Sequence, residues 1–126
     1  MKFTVEHPLR LRNPLNGSQG RSRGGAIMRS KERARLREIG KLLAGSRIGG
    51  LVAFPERWAW RITLTRIGKR RVSAEGICAA FKSVRDGVSD ALGYRDDDHP
   101  ALTWIYAQET GPYGIRIVLE VGERRE

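Results

Sequence analysis

Cysteine and long apolar runs are the scarcest features of this 126-residue sequence. A single cysteine, Cys78, excludes an internal disulfide and favours a reducing, cytoplasmic compartment. The apolar runs are all short, so we expect no membrane-spanning segment. The first residues, MKFTVEHPLRLR, lack the apolar stretch of a secretory signal. The sequence therefore predicts a cytoplasmic protein with no membrane partner.

The motifs that hold organic cofactors or zinc are also missing. We find no glycine-rich phosphate loop, no Cys/His spacing typical of zinc and no recognisable Ser/His/Asp arrangement. His99 stands beside Asp98, but a lone histidine is a weak indication of a transition metal. We therefore expect no small-molecule cofactor.

Acidic residues are scarce in the first half of the chain. Residues 1–71 contain 18 Lys or Arg and 4 Asp or Glu, a net charge of +14. Residues 72–126 contain 6 and 10, a net charge of −4, so the whole chain carries +10. A strongly basic region indicates a polyanionic partner, most commonly nucleic acid. DNA binding and an RNA- or ribosome-binding role explain this charge equally well.

Apolar periodicity predicts six elements in the order β-α-β-α-β-β, which is typical of a single two-layer α/β (α+β) domain over residues 1–126. Pro8 places the first strand at an edge or breaks it. Ser73 is the expected N-cap of the second helix, and Gly93 its end. The GPYG turn is expected to join the last two strands as a hairpin. The predicted segments are a strand at 3–11, a flexible basic loop at 13–25, a helix at 27–44, a strand at 58–66, a helix at 75–92, and strands around 102–106 and 115–121.

Basic side chains follow the predicted loop and first helix. Arg29, Arg33, Arg37 and Lys41 recur at four-residue steps along the helix. A solvated helix face explains such a stripe, but the neighbouring arginine loop favours a surface that contacts phosphates. The candidate nucleic-acid-binding residues are Arg21, Arg23, Arg29, Arg33, Arg37, Lys69, Arg70 and Arg71.

The acidic residues gather on and after the second predicted helix. Glu75, Lys82 and Asp86 share one polar face, and three aspartates, residues 96–98, follow the helix. Mg²⁺ needs only one or two protein carboxylates, and nuclease chemistry uses such a site. A helix of about 27 Å separates Glu75 from Asp97 unless the loop folds back along it. A helix-terminating acidic loop without a ligand is the alternative.

Several segments in order carry a family resemblance: KSVRDGVSDALG, then DDD, then a strand with Trp and Tyr, then YGIRIVLEV. Through them, residues 63–121 resemble the RusA-like endodeoxyribonucleases, Holliday junction resolvases of which many are carried by phages and prophages. The resemblance implies a homodimer that binds four-way DNA junctions and cuts them symmetrically with Mg²⁺ in recombination and repair. A two-fold dimer presents two equivalent sites to a two-fold substrate.

The same resemblance implies the site residues. Family members have acidic residues in a motif LDxDNL that opens the second helix and in an aspartate pair after it, and here the motif reads VSAEGI, residues 72–77. Ser73 and Gly76 thus replace an aspartate and an asparagine, which predicts weakened cleavage. A DNA-binding member without cleavage and a basic RNA- or ribosome-binding protein remain alternatives. The implied metal ligands are Glu75, Asp97, Asp96 and Asp86, and the implied catalytic residues are Glu75, Asp97, Asp96 and Lys82, the last placed at the scissile phosphate or simply paired with Asp86.

Overall fold

Four strands and two helices follow one another in the predicted β-α-β-α-β-β order. A computed structural model describes residues 1–12 and 23–124, with side chains described from residue 29 of the first helix onward. Two short 3-10 turns, Gly49–Ala53 and Pro55–Arg57, precede the second strand. The elements are β1 (Lys2–His7), α1 (Arg23–Ile48), β2 (Trp58–Gly68), α2 (Ala74–Ala91), β3 (Leu102–Thr110) and β4 (Gly114–Glu123). The predicted α/β two-layer class is confirmed.

The strands form one mixed sheet in the order β1-β4-β2-β3. β1 ends before Pro8 and lies at an edge, as its proline predicted. β2 is central, parallel to β3 and antiparallel to β4. The predicted hairpin of the last two strands is therefore wrong. Because α2 carries the chain back from β2 to β3, those strands run parallel, and β4 pairs on the other side of β2.

The core lies between the helices and one face of the sheet. The alternating residues of β2 are buried there, with Trp60 2% exposed and Ile62 and Leu64 fully buried. Ile115, Ile117 and Leu119 of β4 are fully buried as well. The predicted apolar stripe of α2 completes the core with Ile77, Phe81, Val84 and Val88. These residues confirm the strand and helix periods that the sequence indicated.

Helix α1 extends past both of its predicted ends. Its first residues, 23–25, fall in the predicted loop, and the remainder of that loop, residues 13–22, lies outside the described residues. Gly45 stays within the helix, which ends before Gly49 at a φ of 52°. The extension is a tertiary effect, because Ala44 and Ile48 near the end of the helix are buried in the core.

Two glycines allow α1 and α2 to pack very closely. A Cβ at Gly40 of α1 would overlap the carbonyl oxygen of Val84, and a Cβ at Gly87 of α2 would overlap the carbonyl oxygen of Arg37. Only glycine permits such an approach between two helix backbones. The contact places the basic side of α1 next to the polar face of α2.

Helix α2 begins and ends where its sequence predicted. The Ser73 hydroxyl accepts a hydrogen bond from the Gly76 N–H at 3.0 Å, which is the N-cap geometry. The chain leaves the helix through Gly93, whose φ of 86° suits glycine. Within the described ranges, neither helix is long and apolar enough to cross a bilayer.

Candidate functional site

The loop that follows α2 folds back along the helix. Asp97 Oδ2 accepts a hydrogen bond from Lys82 Nζ at 2.8 Å, although Lys82 lies fifteen residues earlier. The same oxygen lies 2.7 Å from Arg85 Nε. The loop therefore folds back as the predicted Glu75–Asp97 metal site required, but it stops at Lys82, seven residues short of Glu75.

Strand β3 holds this loop in place. Trp104 Nε1 donates to the backbone carbonyl of Asp97 at 2.6 Å. The Arg85 guanidinium lies 4.6 Å from the centre of the Trp104 ring, and its Nη1 donates to the Tyr106 hydroxyl at 2.9 Å. The Trp and Tyr side chains of β3 therefore position Asp97 through its carbonyl and through Arg85.

Arg85 is a site residue that the sequence analysis missed. Its Nη2 donates to the Asp97 carbonyl at 3.3 Å. Its buried Nε forms an ion pair with the Asp97 carboxylate, but it donates no well-directed hydrogen bond to a described residue. The sequence does contain an indication of this role: Arg85 follows Lys82 by three residues, and this spacing puts both cations on neighbouring positions of one helix surface.

Lys82 joins two carboxylates of the site. Its Nζ donates to Asp86 Oδ1 at 3.0 Å as well as to Asp97. A third carboxylate, Asp90, forms a two-point ion pair with Arg37 of α1, with distances of 2.8 and 3.0 Å. The structure thus brings together Lys82, Asp86 and Asp97, and it links this group to the basic helix.

Two predicted site residues stay apart from this group. Glu75 is exposed and lies seven residues before Lys82, about 10 Å along the helix axis. Asp96 is exposed, and its backbone carbonyl accepts a long hydrogen bond from the His99 N–H at 3.4 Å. Neither carboxylate forms an ion pair with another described residue. Across residues 1–12 and 23–124, no three His, Cys, Asp or Glu side chains are grouped to hold a metal ion.

The number and arrangement of carboxylate oxygens near Lys82 decide whether this site can bind Mg²⁺. Oxygens of Asp86 and Asp97 both lie within 3.0 Å of one cationic nitrogen, so two carboxylates already converge on a single positive charge. The Lys82 side chain is 60% exposed and has room to move away. Two carboxylates with water completing the shell are sufficient for Mg²⁺. Asp86 and Asp97 therefore fit the metal, whereas Glu75 does not reach it in this arrangement.

The charged states of the site follow from these contacts. Burial alone would raise the pKa of Asp97, but the Lys82 hydrogen bond and the charges of Arg85 and Lys82 outweigh it and lower the pKa below its usual value. The hydrogen bond to Asp97 raises the pKa of Lys82, partial burial opposes that effect, and Asp86 adds to it. Both groups are therefore charged at neutral pH.

The basic residues of α1 border the acidic group. Arg33 and Arg37 line a shallow groove of about 330 Å³ together with Ser83 and Asp86. Arg33 is exposed and forms no ion pair with another described residue, whereas Arg37 is held by Asp90. Arg29 is exposed at the preceding turn. Arg33 is therefore a stronger phosphate-binding candidate than Arg37.

The other predicted basic residues fall into two groups. Lys69, Arg70 and Arg71 are all exposed and directly follow β2. Arg21 lies outside the described residues, and so does the side chain of Arg23, the first residue of α1. The structure therefore places the cations after β2 and those on α1, and it leaves the loop arginine as a prediction.

Comparison with known proteins finds little similarity. No protein-family model matches the chain, and no curated protein matches it. Among solved structures, thiamine-monophosphate kinase from Stenotrophomonas maltophilia is similar at a TM-score of 0.44 and 16% identity, over 98% of this chain. The chain spans 31% of that kinase chain. At this level of similarity the kinase supports no conclusion about the activity of the protein.

Proposed function

We propose that the protein is a RusA-like endodeoxyribonuclease of branched DNA that uses Mg²⁺ and whose altered motif has weakened cleavage. One observation carries the proposal: the return of Asp97 along α2 to meet Lys82 and Asp86 beside the basic helix. Three residues that the family resemblance implicates are thereby grouped at a surface bordered by cations. A nuclease needs both parts, cations to bind the phosphates and carboxylates to hold the metal.

Each side chain has a defined task in this proposal. Asp86 and Asp97 would hold Mg²⁺, which when bound activates a water molecule and neutralises charge on the phosphate. Arg85 orients Asp97, because it is ion-paired with the carboxylate and stacked on Trp104. Lys82 would exchange its carboxylate partners for the phosphate. Arg29 and Arg33 of α1, together with Lys69, Arg70 and Arg71, would bind the DNA backbone.

The weakened cleavage follows from Ser73 and Glu75. The Ser73 hydroxyl is engaged in capping the helix, and it carries no negative charge to replace the aspartate of the family motif. Glu75 is exposed and stands about 10 Å along the axis from Lys82. The site thus has one carboxylate pair, whereas family members have further acidic residues in the motif. Because a displacement of about 1 Å already costs about 100-fold in rate, the loss of these carboxylates is expected to slow cleavage.

A four-way DNA junction with labelled arms tests the proposal, with a linear duplex of the same sequence for comparison. We expect tighter binding to the junction with or without Mg²⁺, and slow cleavage only when Mg²⁺ is added. Asp97→Asn should abolish cleavage and preserve binding, whereas the matched change Asp98→Asn, at an exposed neighbour, should preserve both. Equal binding to junction and duplex, with cleavage of neither, contradicts the proposal.

A second candidate is a branched-DNA-binding protein that has lost cleavage altogether. The observation in its favour is that Lys82 and Arg85 already neutralise Asp86 and Asp97, as expected of a purely structural acidic loop. Junction binding with no cleavage in Mg²⁺ would select this candidate. Preferential binding to double-stranded RNA would instead select a basic RNA- or ribosome-binding protein.

The proposal includes a homodimer formed through the open face of the sheet. Strand alternation places Thr63, Ile105 and Val118 there, all half-buried, and no described helix covers them. Three cations and three carboxylates balance one another on this face, so two copies would not repel: Lys2, Arg61, Arg116, Glu6, Glu109 and Glu120. Light scattering should report a dimer at micromolar concentration, and Val118→Asp should convert it to a folded monomer. A monomeric native protein, free and on DNA, rules out this part.

A further inference from the structure

Exposed cations gather at the end of the sheet where β2 stops. Arg10, Lys69, Arg70 and Arg71 are exposed there, and none forms an ion pair with a described carboxylate. The Arg10 guanidinium lies 4.8 Å from the centre of the Tyr113 ring, and Lys69 Nζ lies 5.8 Å from it. We name these four cations and the ring the Tyr113 cluster. Three separate chain segments supply it, so folding creates it.

Arg66 holds two of these segments together from beneath. The residue is only 9% exposed. Its Nη1 donates to the carbonyl of Arg70 at 2.7 Å, and its Nε donates to the carbonyl of Leu11 at 3.3 Å. Gly68 packs against the same guanidinium, since a Cβ there would lie 2.9 Å from Nη1. The backbone at Arg70 and at Leu11, the neighbour of Arg10, is therefore held by a buried side chain.

The buried charge of Arg66 has no described carboxylate as a partner. A buried ion without an opposite charge costs several kcal/mol, and two carbonyl dipoles offset only part of that cost. Four exposed cations in the same place add to the positive potential. An anionic ligand would compensate all of them, and aromatic contacts to Arg10 and Lys69 order two of the cations before the ligand arrives.

We propose that Arg10 and the Tyr113 ring join Lys69, Arg70 and Arg71 in one organised surface, the Tyr113 cluster, which binds the phosphodiester backbone of one arm of the branched substrate. The identity of the polyanion rests on the proposed function. Arg71 of the cluster lies three residues before Ala74, the first residue of α2, and Lys82 lies about 12 Å further along the helix axis, which is the rise of about three to four base pairs. One DNA backbone can therefore follow α2 from the cluster to the acidic site.

Salt-dependent DNA binding by the full chain tests the proposal. Lys69→Gln combined with Arg70→Gln should weaken junction binding at least about fivefold and reduce the slope of log affinity against log salt by about two units. The control, Arg47→Gln with Arg57→Gln, removes the same charge from exposed positions that precede β2, away from the end where β2 stops, and should leave the slope unchanged. Thermal melting verifies that both variants are folded.

Tyr113 distinguishes an organised surface from a diffuse positive charge. Tyr113→Phe keeps the ring and should bind like the native protein. Tyr113→Leu keeps every cation but releases Arg10 and Lys69, so we expect about twofold to fivefold weaker binding with an unchanged salt slope. Identical binding by Tyr113→Leu and the native protein would mean that the ring has no part in the contact, and would overturn the ordered cluster.

The outcomes also separate this inference from the proposed function. If the protein binds junctions specifically and Lys69→Gln with Arg70→Gln leaves that binding unchanged, only the inference about the cluster is overturned. Cluster-dependent binding that is equal on junction and duplex supports the inference and contradicts branched-DNA specificity. Binding to neither DNA at low salt overturns both. If binding depends on the cluster but strongly prefers double-stranded RNA, the proposal that DNA is the ligand of the cluster is overturned.

Discussion

The two ends of helix α2 differ in how their charges are balanced. Toward the C-terminal end, Asp86 and Asp97 are paired with Lys82 and Asp90 is paired with Arg37. At the N-terminal end, the exposed cations that follow β2 have no ion pair with a described carboxylate. A net charge of +10 therefore describes neither end, because one is neutralised internally and the other remains available to a polyanion.

This difference separates the tasks of folding and binding. Paired charges near Asp97 fix a loop against α2 and β3, and such part-buried pairs are costly to break. Unpaired surface cations contribute little to stability, but each one that meets a phosphate releases counterions and strengthens binding. Substitutions at the two ends are consequently expected to change different measured quantities.

The ion pair between Arg37 and Asp90 requires α1 to lie close to α2, and a substitution at Gly87 tests this close contact. Gly87→Ala should lower the free energy of unfolding by about 3 kcal/mol, because its Cβ would overlap the Arg37 carbonyl and separate the helices. Urea denaturation measures the change. Gly45→Ala is the control, since a Cβ there meets nothing within 4 Å and should stabilise α1 by up to about 1 kcal/mol. Equal effects of the two changes would mean that the helices are not in close contact.

Adding carboxylates at the N-terminal end of α2 should reduce the difference in charge between its two ends and raise the rate of junction cleavage. Ser73→Asp with Glu75→Asp and Gly76→Asn restores the family motif, and aspartate caps a helix as well as serine does. Positions 73 and 75 both lie about 10 Å or more along the helix axis from Lys82, so we expect junction cleavage in Mg²⁺ to rise about 10-fold at most. Gel assays of product formation measure the gain, and Asp97→Asn in the same background should cancel it.

Two results would contradict the account of the motif. No gain by a folded, junction-binding triple variant would mean that the proposed loss of activity is not confined to residues 73–76. Robust cleavage by the native protein that Glu75→Gln leaves unchanged would place the active site away from Glu75 altogether.

Asp97→Asn should uncover the structural role of the neutralised end. The change leaves Lys82 and Arg85 without their shared carboxylate, so we expect a loss of about 2 kcal/mol in the free energy of unfolding at pH 7. The pKa of Asp97 in the folded protein is lowered from 3.8, so its stabilisation is present above about pH 4 and disappears as the pH falls through the folded value. Denaturation curves of variant and native protein should converge below pH 4, and a constant difference at all pH values would contradict the ion pair.

Arg70→Gln should have the smallest effect on stability. Its side chain forms no ion pair with a described residue, and the backbone carbonyl that receives the Arg66 hydrogen bond is retained. We expect a change in the free energy of unfolding within about 0.5 kcal/mol, measured by urea denaturation without DNA. A loss comparable to that of Asp97→Asn would show that the charges at this end are compensated within the protein after all.

Local patterns in the sequence were sufficient to predict the elements. Alternation predicted β2 and β4, the apolar stripe of α2 predicted its buried side, and Ser73 was identified as the cap. These features depend on neighbours within a few residues, so periodicity and capping chemistry reveal them. The length of α1 was underestimated because its final turns are held by the core, which a local pattern does not contain.

Features that depend on distant parts of the chain were decided only by tertiary structure. The separation of β3 from β4 by β2, the return of Asp97 to Lys82, and the union of Arg10, Lys69 and Tyr113 each join segments far apart in sequence. By itself, the sequence determined which residues carry charge and in which local element each one lies. Packing across the sheet and between two glycine-lined helices decided which charges neutralise one another and which stay exposed, since Coulomb energy depends on distance in space.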